Sequence, residues 1–308
     1  MPRPLRFIPP DSLVEITTRT FQGRSLLRPS PELTDILLGV IGKAQDLYKM
    51  TMHTFVVAST HAHFLVSPSS AHQLACFMQF VNANMAKEAG RLHDWPDRIW
   101  SRRYRAICVV DDAAAHTRMR YILAHGAKEG LVSGAGSWPG PNCIAALTHG
   151  DILRGTWFDR SAEYRARAAG KDVKPGEFST TYDITLTPLS CLLHLDADHR
   201  QAHYRRVLHE IDEAADAENK VKGRTPIGVQ AILNQDPHHR PDALKRSPAP
   251  LVHAHDKEKR EAYLAAYKEF VINYRAAAAN LVAKAKQIVE LFPDWAFPPP
   301  LPFKATAT

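Results

Sequence analysis

The chain has 308 residues, 45% of them hydrophobic and 23% charged, with a formal net charge of +7. That is enough apolar material for a full core and enough length for two ordinary domains, and the positive balance favours a polyanionic partner. Four cysteines, Cys76, Cys108, Cys143 and Cys191, lie far apart with no C-x-x-C, which argues against a zinc ribbon or a disulfide framework. No stretch approaches the roughly 18 uninterrupted apolar residues of a membrane span, so the expectation is a cytoplasmic protein that meets no membrane.

Leu13–Arg19 alternates apolar and polar residues and reads as a half-buried strand. A turn over 21–28 leads to Ser30-Pro31-Glu32, an N-cap with a first-turn proline, and Leu33, Ile36, Leu37, Val40, Ile41 and Ala44 mark one face of a helix ending near Tyr48. Two strands follow, Met52–Ala58 and His61–Val66, with Ser59-Thr60 between them. The next helix, from about Ser70 to Gly90, has Leu74, Cys76, Phe77, Phe80, Val81 and Met85 on its apolar face. Trp100–Val110 reads as a fourth strand and Asp112 as the cap of a helix running to about His125.

Gly134-Ala135-Gly136-Ser137-Trp138-Pro139-Gly140-Pro141 breaks the pattern and marks the expected domain boundary, giving units over 1–135 and 136–308. Its G-x-G is not a nucleotide loop, because Trp-Pro-Gly-Pro follows it in place of a helix. The second unit reads as mostly helical. It has a short helix and turn over 144–154, a strand over 178–186, a charged amphipathic helix over 198–222 and a long helix over 256–292. Tyr263, Leu264, Tyr267, Phe270, Val271, Tyr274, Ala278 and Leu281 lie on one stripe of the last. His238, His239, Arg240, Lys245 and Arg246 form a basic, proline-rich turn, and Trp295-Ala296-Phe297-Pro298-Pro299-Pro300 an extended tail.

The most informative residues are His61-Ala62-His63. A strand presents residues two apart on one face, so the two imidazoles point the same way and can offer two nitrogens to one divalent cation. The segment resembles the signature of the single-tyrosine HUH transposases, the REP-associated tyrosine transposases in particular, with Ala62 at the hydrophobic place between the histidines. The basic start Met1–Arg6 and the first strand resemble the same family, as do Trp100-Ser101-Arg102-Arg103-Tyr104-Arg105-Ala106-Ile107 and Tyr121-Ile122-Leu123-Ala124-His125-Gly126-Ala127-Lys128-Glu129-Gly130-Leu131-Val132. In the last block His125, Gly126 and Ala127 depart from the family's Asn-Pro-Val.

The resemblance implies an α+β fold, a ferredoxin-like antiparallel sheet with helices on one face. It also implies metal-dependent nicking and transfer of DNA in transposition and recombination. The expected partner is single-stranded or hairpin DNA and the expected cofactor Mg²⁺ or Mn²⁺. By this resemblance His61 and His63 face the second helix. That helix supplies the third ligand, for which Glu88 is its charged candidate among Gln79, Asn82 and Asn84. The nucleophilic tyrosine is expected on the same helix, where Met85 stands and no tyrosine occurs; a thioether cannot form a phosphotyrosine bond. Tyr104 and Tyr121 are the substitutes, each with a packing role as the competing reading. Arg3, Arg6, Arg102, Arg103, Arg105 and Lys128 are the expected phosphate contacts, and Trp100 and Tyr104 the stacking aromatics. The alternative to an enzyme is a domesticated, catalytically inactive transposase that only binds structured DNA.

Overall fold

The structure is a computed structural model that describes residues 4–9, 11–242, 249–283, 292, 293, 296 and 297. Arg3, Lys245, Arg246, Trp295 and Pro298–Pro300 lie outside the described residues, as does the side chain of Leu281.

The first half is built from β1 (Leu13–Arg19), α1 (Pro31–Tyr48), β2 (Thr51–Ala58), β3 (His61–Ser67), α2 (Ala71–Leu92), β4 (Arg105–Val109) and α3 (Asp112–Leu123). The four strands lie in the order β2-β3-β1-β4, each antiparallel to its neighbours, which is the ferredoxin-like arrangement that the resemblance implies. Helices start where short polar side chains satisfy their free amides: Ser30 Oγ accepts from Leu33 N, Ser70 Oγ from Gln73 N and Asp111 Oδ1 from Ala114 N. The cap of α3 is therefore Asp111, not Asp112. The fourth strand is shorter than expected, because Trp100 forms only an isolated bridge with Thr20 before the chain bends over 101–103.

Strand alternation divides the sheet into two unlike faces. Ala62, Phe64 and Val66 of β3 are wholly buried on the face that carries α2, where the Phe64 ring meets the edge of Phe77. His61 and His63 point to the other face, where α3 lies. The helices are thus not confined to one face of the sheet.

The second half consists of α4 (Ile144–His149), β5 (Leu153–Phe158), α5 (Arg160–Ala168), β6 (Ser179–Ile184), α6 (Ala197–Val221), α7 (Val229–Leu233), β7 (Val252–His253) and α8 (Lys257–Ala283). It is mostly helical, as expected, with a β5–β6 hairpin added. Contacts run across residue 136 in several places. The hairpin lies on α1 at glycine-on-glycine distance: a Cβ on Gly155 would fall 2.2 Å from the Gly39 nitrogen. The backbone of Val57 donates to Pro141 O and that of Thr187 to Met52 O, so the free edge of β2 is covered. β7 pairs in parallel with β4 and becomes the fifth strand.

Candidate metal centre and its surroundings

The polar residues of β1, β3 and β4 share the α3 face. Thr17 is opposite His63 on one side and Arg105 on the other, and Arg19 is opposite His61. Above them α3 and the turn that follows it present Arg118, Tyr121, His125 and Lys128, spaced three and four residues apart on one side. Gly126 allows the chain to leave α3 there. It has φ +90°, and a Cβ on it would sit 2.9 Å from the Trp138 ring, so no other residue turns so sharply beside that indole.

His61, His63 and His125 converge, with one ligating nitrogen from each lying within 4.8 Å of the others. Their ring centroids are 4.5 to 5.1 Å apart. His63 is 4% exposed and His125 2%. Hydrogen bonds set the tautomers: His63 Nδ1 donates to Glu15 Oε1 at 3.1 Å, and His125 Nδ1 donates to the Ile122 carbonyl at 3.1 Å. That leaves Nε2 of each as a lone pair; His63 Nε2 is buried with no hydrogen-bond partner, while His125 Nε2 accepts from Lys128 Nζ at 3.4 Å. Burial holds all three imidazoles below their ordinary pKa, with His63 and Lys128 adding to the effect on His61 and His125. Buried, neutral rings with converging lone pairs and a carboxylate behind one of them are what a divalent metal ion requires. The residues present fit such an ion.

Behind His63, the Glu15 carboxylate is 3% exposed. Arg118 grips both oxygens, Nη2 on Oε1 and Nε on Oε2, each at 2.7 Å. Burial alone would raise this carboxyl, but contacts from His253, His63 and Arg118 hold it well below the usual carboxylate range. Tyr121 stands beside the histidines, its ring centroid 5.6 Å from that of His63 and 5.0 Å from that of His125. Lys128 Nζ is 3.2 Å from the Tyr121 ring centroid and the Arg118 guanidinium 4.0 Å from it. Burial raises the Tyr121 hydroxyl pKa, opposed by the charge of Arg118.

Several expectations fail on geometry. The histidines face α3, not the helix that carries Asn82, Met85 and Glu88. Glu88 does not reach them: it is buried on α2, its carboxylate 3.1 Å from Arg160 Nε and 3.2 Å from Arg91 Nε. The third group beside His61 and His63 is His125. Met85 is fully buried core on α2, away from the histidines. Tyr104, 8% exposed, packs beneath Arg6, whose guanidinium lies 3.6 Å from its ring centroid and donates to its carbonyl. That ring is no open stacking platform, and Arg6 is committed to it. Trp100 is half-buried with Nε1 donating to Asn82 O at 2.7 Å. Arg102, Arg103 and Arg105 are exposed, and so is Arg19, which the sequence reading passed over.

No protein-family model matches the chain, and no curated protein does. Among solved structures, the chain is similar to a REP-associated tyrosine transposase bound to a REP hairpin. The identity is 16%, covering 62% of this chain and 96% of that one, with a TM-score of 0.40. A candidate transposase from Deinococcus radiodurans matches at 14% identity over 40% of this chain and 95% of its own, with a TM-score of 0.29. The tRNA(His) guanylyltransferase of Saccharomyces cerevisiae matches at 11% identity over 63% and 96%, with a TM-score of 0.31. Among the described residues no helix is long and apolar enough to cross a membrane.

Proposed function

We propose that the protein is an HUH-type DNA-nicking and strand-transfer protein of transposase type, acting on single-stranded or hairpin DNA with Tyr121 as its nucleophile. The observation that carries this reading is the placement of Tyr121 against His63 and His125, on the same face as the H-x-H strand. The sequence blocks that resemble the family support the DNA partner.

His61, His63 and His125 would hold the metal ion, and three nitrogen donors suit Mn²⁺ or another transition ion better than Mg²⁺, which prefers oxygen. A divalent ion there supplies a Lewis acid for a phosphodiester oxygen. Arg19 and Arg105, exposed beside the histidines, bring the backbone to the site by phosphate contact. The Tyr121 hydroxyl oxygen attacks phosphorus and loses its proton to solvent. The P–O bond to the leaving nucleotide breaks, and that oxygen takes a proton and departs as a hydroxyl. The phosphotyrosine keeps the bond energy, so a second hydroxyl can reverse the step and join a new strand. Arg118 and Lys128, packed on the ring, position it and favour the phenolate that forms during reversal.

The test is incubation with hairpin-bearing oligonucleotides and Mn²⁺, followed by a denaturing gel. A covalent adduct is expected with the natural protein and with Tyr104→Phe, and its yield should fall on the order of 10³-fold or more with Tyr121→Phe. Tight hairpin binding with no adduct would overturn catalysis and leave a binding module. Cleavage without an adduct would make the protein a nuclease that uses water.

A further inference from the structure

The second half of the chain places a polar side chain, that of His253, against the carboxylate behind the site. His253, on β7, is opposite Val109 of β4, and its backbone carbonyl accepts from Val110 N at 3.1 Å. Its Nε2 lies 2.9 Å from Glu15 Oε2. The strand is pinned just after this residue: Asp111 Oδ2 accepts from His255 N at 2.7 Å and Asp256 N at 3.1 Å, and Thr117 Oγ1 is 3.1 Å from His255 Nε2. The clamp belongs to the start of α3, the helix that also carries Arg118 and Tyr121.

The Glu15 carboxylate is therefore flanked at both ends, by hydrogen bonds at Oε1 and by ion-pair contacts at Oε2. Oε1 faces His63 Nδ1 and Arg118 Nη2, while Oε2 faces Arg118 Nε and His253 Nε2. Arg118 supplies the unit of positive charge that the buried carboxylate needs, so His253 is not required for neutrality. What it adds is direction, since a carboxylate left with Arg118 alone on its outer side can tilt toward that guanidinium and away from His63. Oε1 would then leave the line to His63 Nδ1, and the tautomer that presents His63 Nε2 as a lone pair would lose its lock.

We propose that His253 is a positioning residue of the metal site, by which the C-terminal part of the chain orients His63 through Glu15. The inference rests on the metal reading of His61, His63 and His125. Among the described residues β7 comprises only two, so its contribution to the sheet is small beside its effect on this carboxylate.

The experiment uses the full-length chain and Mn²⁺ alone, without DNA. Mn²⁺ affinity is measured by calorimetry for the natural protein, His253→Ala, His253→Gln and His63→Ala. Partners of ligands contribute about 10–100-fold to metal affinity, and His253 acts one bond farther out, so His253→Ala should weaken binding by roughly 3- to 10-fold. His253→Gln keeps an N–H near the place of Nε2 and should restore most of it. A long-range ¹H–¹⁵N spectrum of the metal-free protein gives the second readout. The His63 ring should be a single Nδ1–H tautomer in the natural protein, a mixture in His253→Ala and single again in His253→Gln. A merely structural role would lower the melting point without changing that tautomer. Natural affinity and tautomer in His253→Ala, with binding lost in His63→Ala, would overturn this proposal and leave the metal site standing. No Mn²⁺ binding by the natural protein would overturn both.

Discussion

Two glutamates, one on each face of the sheet, are equally buried at 3% exposure, and each is held by arginine. Glu88 meets Arg91 and Arg160, both of whose other contacts are with carboxylates, backbone or ring faces, and it closes α2 against α5. Glu15 meets Arg118 too, but it also lies against two imidazoles, one of which hydrogen-bonds it and turns a free nitrogen toward two further histidines. A buried carboxylate is costly unless paired, so pairing with arginine says nothing about function. What distinguishes Glu15 is the unsatisfied His63 Nε2 beyond it.

The sharpest way to break this contrast is to take a ligand from one side. His125→Ala should lower Mn²⁺ affinity by about 100-fold or more, beyond the loss typical of an outer-shell partner. Retained affinity would restore the case for a ligand elsewhere. On the opposite face, Glu88→Gln should leave Mn²⁺ affinity as it is and destabilise the fold by about 2 kcal/mol. That is less than a fully buried pair would lose, because Arg160 is 25% exposed and partly resolvated. Urea unfolding measures it, and a loss of metal affinity in this variant would mean the two faces are coupled.

The smallest effect concerns acid. His93, which follows α2, is pushed down to about 4 by burial first and then by Arg28 and His238. As pH falls below about 6.5 the unfolded chain takes up a proton that the folded ring refuses until about 4. Stability contributed here is therefore complete above pH 6.5 and declines across that window. In His93→Gln the unfolding free energy should vary less between pH 6.5 and 4 than in the natural protein. An unchanged pH slope would show that this ring carries none of it.

Periodicity found β1 to β4, α1 to α3 and the long C-terminal helices because each is an amphipathic element whose pattern is local. The H-x-H pair was legible for the same reason: two residues apart on a strand share a face whatever surrounds them. The partner helix was not, since alternation states that His61 and Phe64 oppose each other but not which helix covers which side. The resemblance placed the nucleophile and third ligand on α2, where Glu88 is the charged ligand candidate and Met85 stands in the nucleophile's place. A signal pointing to α3 was present in the polar stripe Arg118, Tyr121, His125, Lys128, spaced by three and four residues.

Sequence by itself determined the strand that carries His61 and His63, the succession of strands and helices in the first half, the mostly helical second half and the positive charge, all consequences of short-range pattern and composition; the ferredoxin-like order was implied by the family resemblance. Tertiary structure alone decided that Glu15 lies behind His63, that His125 completes the group, that Glu88 is a pillar between two arginines and that His253 comes from 190 residues beyond His63 to meet the same carboxylate. Strand pairing and helix docking bring together groups with no fixed spacing along the chain, and a buried polar group acquires its meaning only from the partners that folding gives it.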